Sequence, residues 1–107
     1  MTTAPKSEVL PIAELVSYQD GSVVSRQITK ADAGNVTLFA FDQHQELSEH
    51  TAPFDALVHV LDGNAEIRIS DKAYQLKTGD AIIMPANEPH ALKALTRFKM
   101  LLTMIRG

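Results

Sequence analysis

The sequence predicts an all-β fold, a barrel or a double sheet. Three observations carry that expectation. Most apolar stretches alternate with a two-residue period. Turn signals such as Asp20-Gly21, Gly34-Asn35, Asp62-Gly63, Asp71-Lys72 and Thr78-Gly79 cut the chain into pieces of strand length. Nowhere does a helical periodicity run for the length of an ordinary helix.

In chain order, residues 1–8 are mostly polar and read as a flexible arm. Val9 to Val16 is mostly apolar and could run extended along the body, but Pro11 suits the first turn of a short helix, so a short turn is expected. Ser22 to Ile28 is rich enough in β-branched residues for a strand, and Gly34-Asn35 closes a hairpin onto Val36 to Phe41. On that second strand Thr37, Phe39 and Phe41 share one face and should point inward. Asp42 to Glu49 reads as a loop, and Pro53 interrupts whatever strand His50 begins. Beyond it Ala56, Val58 and Val60 alternate with Leu57, His59 and Leu61, which predicts a strand buried on both faces. Ala65 to Ile69 has one wet face, and Tyr74 and Leu76 return apolar after Asp71-Lys72. Ala81 to Met84 ends at Pro85, and a strand starts at His90. Phe98, Met100, Leu102 and Met104 form the inward parity of a last strand. Lys99 has the outward parity, so its truncation is expected to be nearly silent.

Composition bounds the function. The 107 residues suffice for one domain, residues 1–107, and are too few for two. With 45% apolar and 21% charged residues the chain is of ordinary globular type, and a net charge of −3 offers no basic footprint for nucleic acid. There is no cysteine, hence no disulfide, thiolate site or thiol nucleophile. No apolar run is long enough for a membrane span and no signal sequence is evident, so a cytoplasmic location is the default expectation. No Gly-rich phosphate cradle or nucleophile elbow occurs.

The most informative stretch runs from His44 to His90. Ungapped motif spacings place His50, Gly63, Gly79, Pro85 and His90 on the positions that define the cupins, a family which this chain resembles over residues 36–105. The resemblance implies a cupin jelly-roll barrel. In the family two histidines and a glutamate of the first motif, with one histidine of the second, hold a divalent metal inside the barrel. Here His50 and His90 match, whereas Ala52 and Ala56 stand at the other two positions, and His44, Asn87 and Ala94 also depart from the pattern. His44 and Asp55 are the candidates for a replacement ligand. With two imidazoles only, a metal would lean on water and be held weakly. The same two histidines equally suit neutral rings satisfied by hydrogen bonds.

The leading expectation is therefore a small-molecule-binding cupin with an incomplete metal site. No cofactor is firmly implied beyond a weakly bound divalent metal. The pocket walls are expected to be Phe39, Phe41, Val58, Met84, Phe98 and Met100, the histidines acting as polar anchors. Two alternatives stand beside it: a metal-dependent dioxygenase or isomerase using His50, His90 and an unconventional third ligand, and a structural or regulatory dimer without chemistry. The partner expected is an unknown small molecule, with no nucleic acid and no membrane. A two-fold homodimer is expected through the outward-facing Leu57, Leu61, Leu101 and Ile105, with His59 beside them.

Overall fold

The computed structural model describes residues 3–106. A 3-10 turn, Ile12–Glu14, precedes nine strands: β1 (Val23–Ala31), β2 (Gly34–Phe41), β3 (Glu46–His50), β4 (Asp55–Asp62), β5 (Asn64–Ile69), β6 (Lys72–Lys77), β7 (Ala81–Met84), β8 (His90–Ala94) and β9 (Phe98–Ile105). They form two sheets, ordered β1-β2-β9-β4-β7 and β3-β8-β5-β6. Every ladder is antiparallel, giving the double-sheet jelly roll. Among the described residues no helix is long and apolar enough to cross a membrane.

The two-residue period delivers the core. Ala56, Val58 and Val60 of β4 meet Phe98 and Met100 of β9, Phe41 of β2, Ala65 and Ile67 of β5, and Leu92 and Ala94 of β8 in one buried cluster. Phe41 and Phe98 are register partners whose rings stack with centroids 4.5 Å apart. This corrects the expected pocket. Phe41, Val58, Phe98 and Met100 have no exposed surface and Met84 is buried, so these residues fill the barrel rather than wall a cavity; only Phe39 is partly open. Large side chains on facing sheets interdigitate until little space is left.

A second cluster covers the outer face of the larger sheet. Leu38 and Ala40 of β2 and Ile28 of β1 are buried there beneath Val16 and Ala4, with Leu10, Ile12, Leu15 and Tyr18 packed alongside. The N-terminal segment is thus a strap. The expected arm is anchored at Ala4, whose N–H donates to the Ile28 carbonyl (2.9 Å), while residues 5–9 are exposed; residues 1 and 2 lie outside the described residues. The strap also packs on Leu61 and Leu101, which removes them from the free surface assigned to them above. Consequently β4 is buried on both faces only at its strap end. Leu57 stays partly exposed, and with Ile83 and Ile105 it forms an uncovered apolar patch on the same sheet.

One strand departs from the sequence reading. Glu46–His50 is β3, not loop, paired through Glu46 with Lys93 and Leu47 with Leu92. Four of its five residues are exposed, so no apolar alternation announced it; pairing with the edge of β8 made it a strand.

Candidate functional site

The site lies at the end of the barrel where β3 finishes and β8 begins. His50 is the last residue of β3, His90 the first of β8, and the two are register partners after an irregularity in the ladder. Their loops are stitched together. Asn87 N–H donates to the Ala52 carbonyl (2.8 Å), Ala86 N–H to the Asp55 carboxylate (2.9 Å) and Ser70 N–H to the Pro89 carbonyl (2.7 Å). Asn87 adopts φ 65° where the family pattern has glycine, a conformation that asparagine tolerates better than most residues. Pro53 lies in the loop between β3 and β4, Pro85 follows the end of β7 and Pro89 precedes β8, so these segments stay out of the ladders and their backbone is free for these bonds.

The two rings meet edge to face with centroids 4.4 Å apart, and their Nε2 atoms are 3.1 Å apart. Each Nδ1 faces a backbone carbonyl two residues upstream: Ser48 for His50 (2.7 Å) and Glu88 for His90 (3.2 Å). A carbonyl can only accept, so each Nδ1 must carry a proton. In two neutral rings both Nε2 atoms are then acceptors 3.1 Å apart with no hydrogen between them. One extra proton on the line joining them relieves this, as does a metal ion seated beside that line. The Nε2 separation is that of adjacent ligands around an ion bound at about 2.1 Å, and carbonyl-oriented Nδ1–H groups are the usual support of ligating histidines.

His90 is buried, whereas His50 is exposed. Burial, and next the His50 ring, push His90 below the ordinary imidazole value, against the opposing pull of the Glu88 carbonyl. Imidazole nitrogen suits zinc, nickel, copper or iron(II). Ala56 is buried between Met104 and Met84 in the ladder, so long thioether side chains flank the position where the family pattern has glutamate.

The other ligand candidates are placed elsewhere. The His44 N–H donates to the Ala94 carbonyl, at the opposite end of β8 from His90 and about 13 Å away by the strand rise. Asp55 spends a carboxylate oxygen on Ala86 N–H, bracing the two loops. His59 is on the outer face of β4, opposite Leu101 and Ala81. Among the described residues no third His, Cys, Asp or Glu joins the pair. The carbonyls of Ser48 and Glu88, which orient the rings, escaped the sequence reading because backbone groups leave no residue-type signal.

A jelly roll with paired histidines at one mouth defines a class of small barrel proteins, and the comparisons specify it. The cupin-domain family matches residues 37–105, and the chain belongs to that family. A conserved protein of unknown function from Streptococcus pyogenes is 34% identical, with TM-score 0.91 over 100% of this chain and 96% of its own. A cupin superfamily protein from Desulfitobacterium hafniense is 29% identical, with TM-score 0.91 over 99% and 97%. A cupin 2 conserved barrel domain protein from Leptotrichia buccalis is 37% identical with TM-score 0.88; 91% of this chain aligns with 47% of that longer one. No curated protein matches the chain.

Proposed function

We propose that this protein is a small-molecule-binding cupin in which His50 and His90 share one exchangeable cation and present it to an organic ligand at the barrel mouth. One observation carries this reading: two Nε2 acceptors 3.1 Å apart, with both Nδ1 atoms held by carbonyls. Two imidazoles supply too few bonds for tight retention, so water and the ligand complete the coordination. The backbone bond of His44 at the far end of β8 and the Asp55 bond to Ala86 N–H weigh against either as a third ligand, and so favour this reading over the enzyme alternative.

Metal analysis of untagged, chelator-free protein tests this. The expected result is substoichiometric metal, removed by mild chelation, with uptake of added nickel or zinc abolished by His50→Ala or His90→Ala. One tightly held metal per chain, or uptake unchanged in both variants, rejects it. Ala52→His with Ala56→Glu should turn labile uptake into stoichiometric retention through gel filtration, because it adds two ligands at the family spacing.

The assembly proposed is a two-fold homodimer through Leu57, Ile83 and Ile105. Thr103 lies beside Leu57 on β9, and the one carboxylate at the edge of the patch, Asp55 opposite Ile105, has an oxygen committed to Ala86 N–H, so the apolar face complements another apolar face, here its own copy. Ile83→Asp should shift the sedimenting species to 11.7 kDa. An unmodified protein that is already monomeric at micromolar concentration rejects the dimer.

A further inference from the structure

The register across the larger sheet places Lys30, Asn35, Met104, Ala56 and Met84 in one row at the barrel mouth, each residue the partner of the next. Ala56 and Met84 are buried at one end, Asn35 and Met104 are half-buried, and Lys30 is exposed at the other end. A pocket of about 70 Å³ opens at that polar end, lined by Lys30, Asn35, Phe54, Met104 and Arg106 among others. Its walls come from three separated segments, and Phe54 belongs to the same β3–β4 connection as His50.

The lining has a definite chemistry. Lys30 and Arg106 bring two cations, and among the described residues neither is in an ion pair. Asp55 is the register partner of Ile105, the residue before Arg106, but has an oxygen committed to Ala86 N–H. The Arg106 guanidinium lies over the Phe54 ring, 5.1 Å from its centroid, and its backbone N–H is held by the Ala33 carbonyl (2.7 Å). Asn35 accepts from Thr37 through its carbonyl oxygen, leaving its amide NH2 as a donor. Met104 and Phe54 supply apolar wall. Gly34 belongs to the lining by necessity: at φ +155°, a Cβ there would sit 2.0 Å from the Met104 carbonyl oxygen.

We infer that this rim pocket holds the carboxylate of a short-chain organic acid, whose apolar part rests against Met104 and Phe54. The inference rests on the reading of the mouth as a small-molecule site and adds the class of molecule. Two cations and an amide donor match a carboxylate, and the guanidinium can bind it with two parallel bonds. Ala56 and Met84, further along the row, are buried, so the pocket admits a short chain and not a long one.

Titration of the full chain with butanoate and with butan-1-ol, followed by backbone amide NMR, tests the assignment. Butanoate should shift the amides of Gly34, Asn35 and Arg106, and should bind more tightly than the alcohol. Lys30→Gln and Arg106→Gln should each weaken butanoate roughly tenfold, as loss of a charge-assisted bond implies, and leave the alcohol unchanged. Both side chains are exposed, so the variants should fold. Equal affinity for acid and alcohol, no shifts at the rim, or butanoate affinity unchanged in both variants overturns the inference. Nickel uptake in the same samples reports separately on the histidine cation site: intact uptake with no rim shifts rejects the acid pocket alone, and rim shifts without uptake reject the cation site alone.

Discussion

The two ends of the barrel use similar polar residues in opposite ways. At the end where β4 finishes and β1 starts, the charges around the strap are answered from within the chain. Arg97 binds Asp20 (2.6 Å) and Asp42 (2.8 Å), and the Gly21 N–H also donates to Asp42. Tyr18 donates to Asp62 (2.6 Å), and Lys99 donates to the Ala13 carbonyl (2.6 Å) while lying over the Tyr18 ring. At the other end the Nε2 atoms of His50 and His90 face each other, and Lys30 and Arg106 face a pocket. Satisfied groups hold the strap; under the proposed function, the groups left facing one another are the ones offered to a ligand. On that proposal polarity alone does not mark a site, whereas incomplete pairing does.

The comparison breaks most severely at the floor of the closed end. Phe98→Ala should cost roughly 3–5 kcal/mol, because it empties the stack with Phe41 in a fully buried position. Urea denaturation measures it, and metal uptake by the folded fraction should survive. Gly63 sits beside it at φ +83°, with an added Cβ 2.0 Å from the Arg97 carbonyl oxygen. Gly63→Ala should therefore destabilise by about 2 kcal/mol or more, through backbone strain rather than lost packing.

A smaller effect is expected at Lys99. The sequence reading made its truncation nearly silent, but its ammonium ties the strap through Ala13. Lys99→Ala should cost about 1 kcal/mol, a hydrogen bond discounted for partial exposure. Equal denaturation midpoints for Lys99→Ala and the unmodified protein would show that the strap is held by apolar packing alone.

Acid should separate the two ends. His90 titrates below 6.5 in the folded protein, so the unfolded chain binds more protons as pH falls through that value. Its contribution is present above 6.5 and is lost as pH drops toward the lower folded value. Asp42 is held at about 2, first by the Gly21 N–H and then by Arg97, against an ordinary 3.8. Its contribution is present above 3.8 and disappears only as pH approaches 2. Thermal midpoints should fall in two limbs, the milder erased by His90→Asn and the more acidic by Asp42→Asn. A single limb removed by neither variant contradicts this assignment.

Much of the fold was legible in the residues. The two-residue alternation of Ala56, Val58 and Val60, and of Phe98 and Met100, determined which faces turn inward, because a strand's side chains can only alternate. The motif spacing likewise singled out His50 and His90, which the ladder makes partners. Other features were decided only by tertiary structure. Glu46–His50 carries no apolar pattern, and β8 supplied the hydrogen bonds that made it a strand. Pro11 pointed to a short turn within Val9 to Val16, which Ile12–Glu14 forms, but only the uncovered outer face of β1 and β2 settled where Leu10, Ile12, Leu15 and Val16 went. The pocket walls were misjudged for a related reason: inward parity says that Phe41 and Phe98 face the interior, but the rings opposite decide whether space remains between them. The sequence by itself therefore determined the strands' faces and the two histidines, which depend on local periodicity and spacing. The direction of each Nε2, the strap and the cationic rim depend on contacts between residues far apart in the chain, and only the folded barrel brings these together.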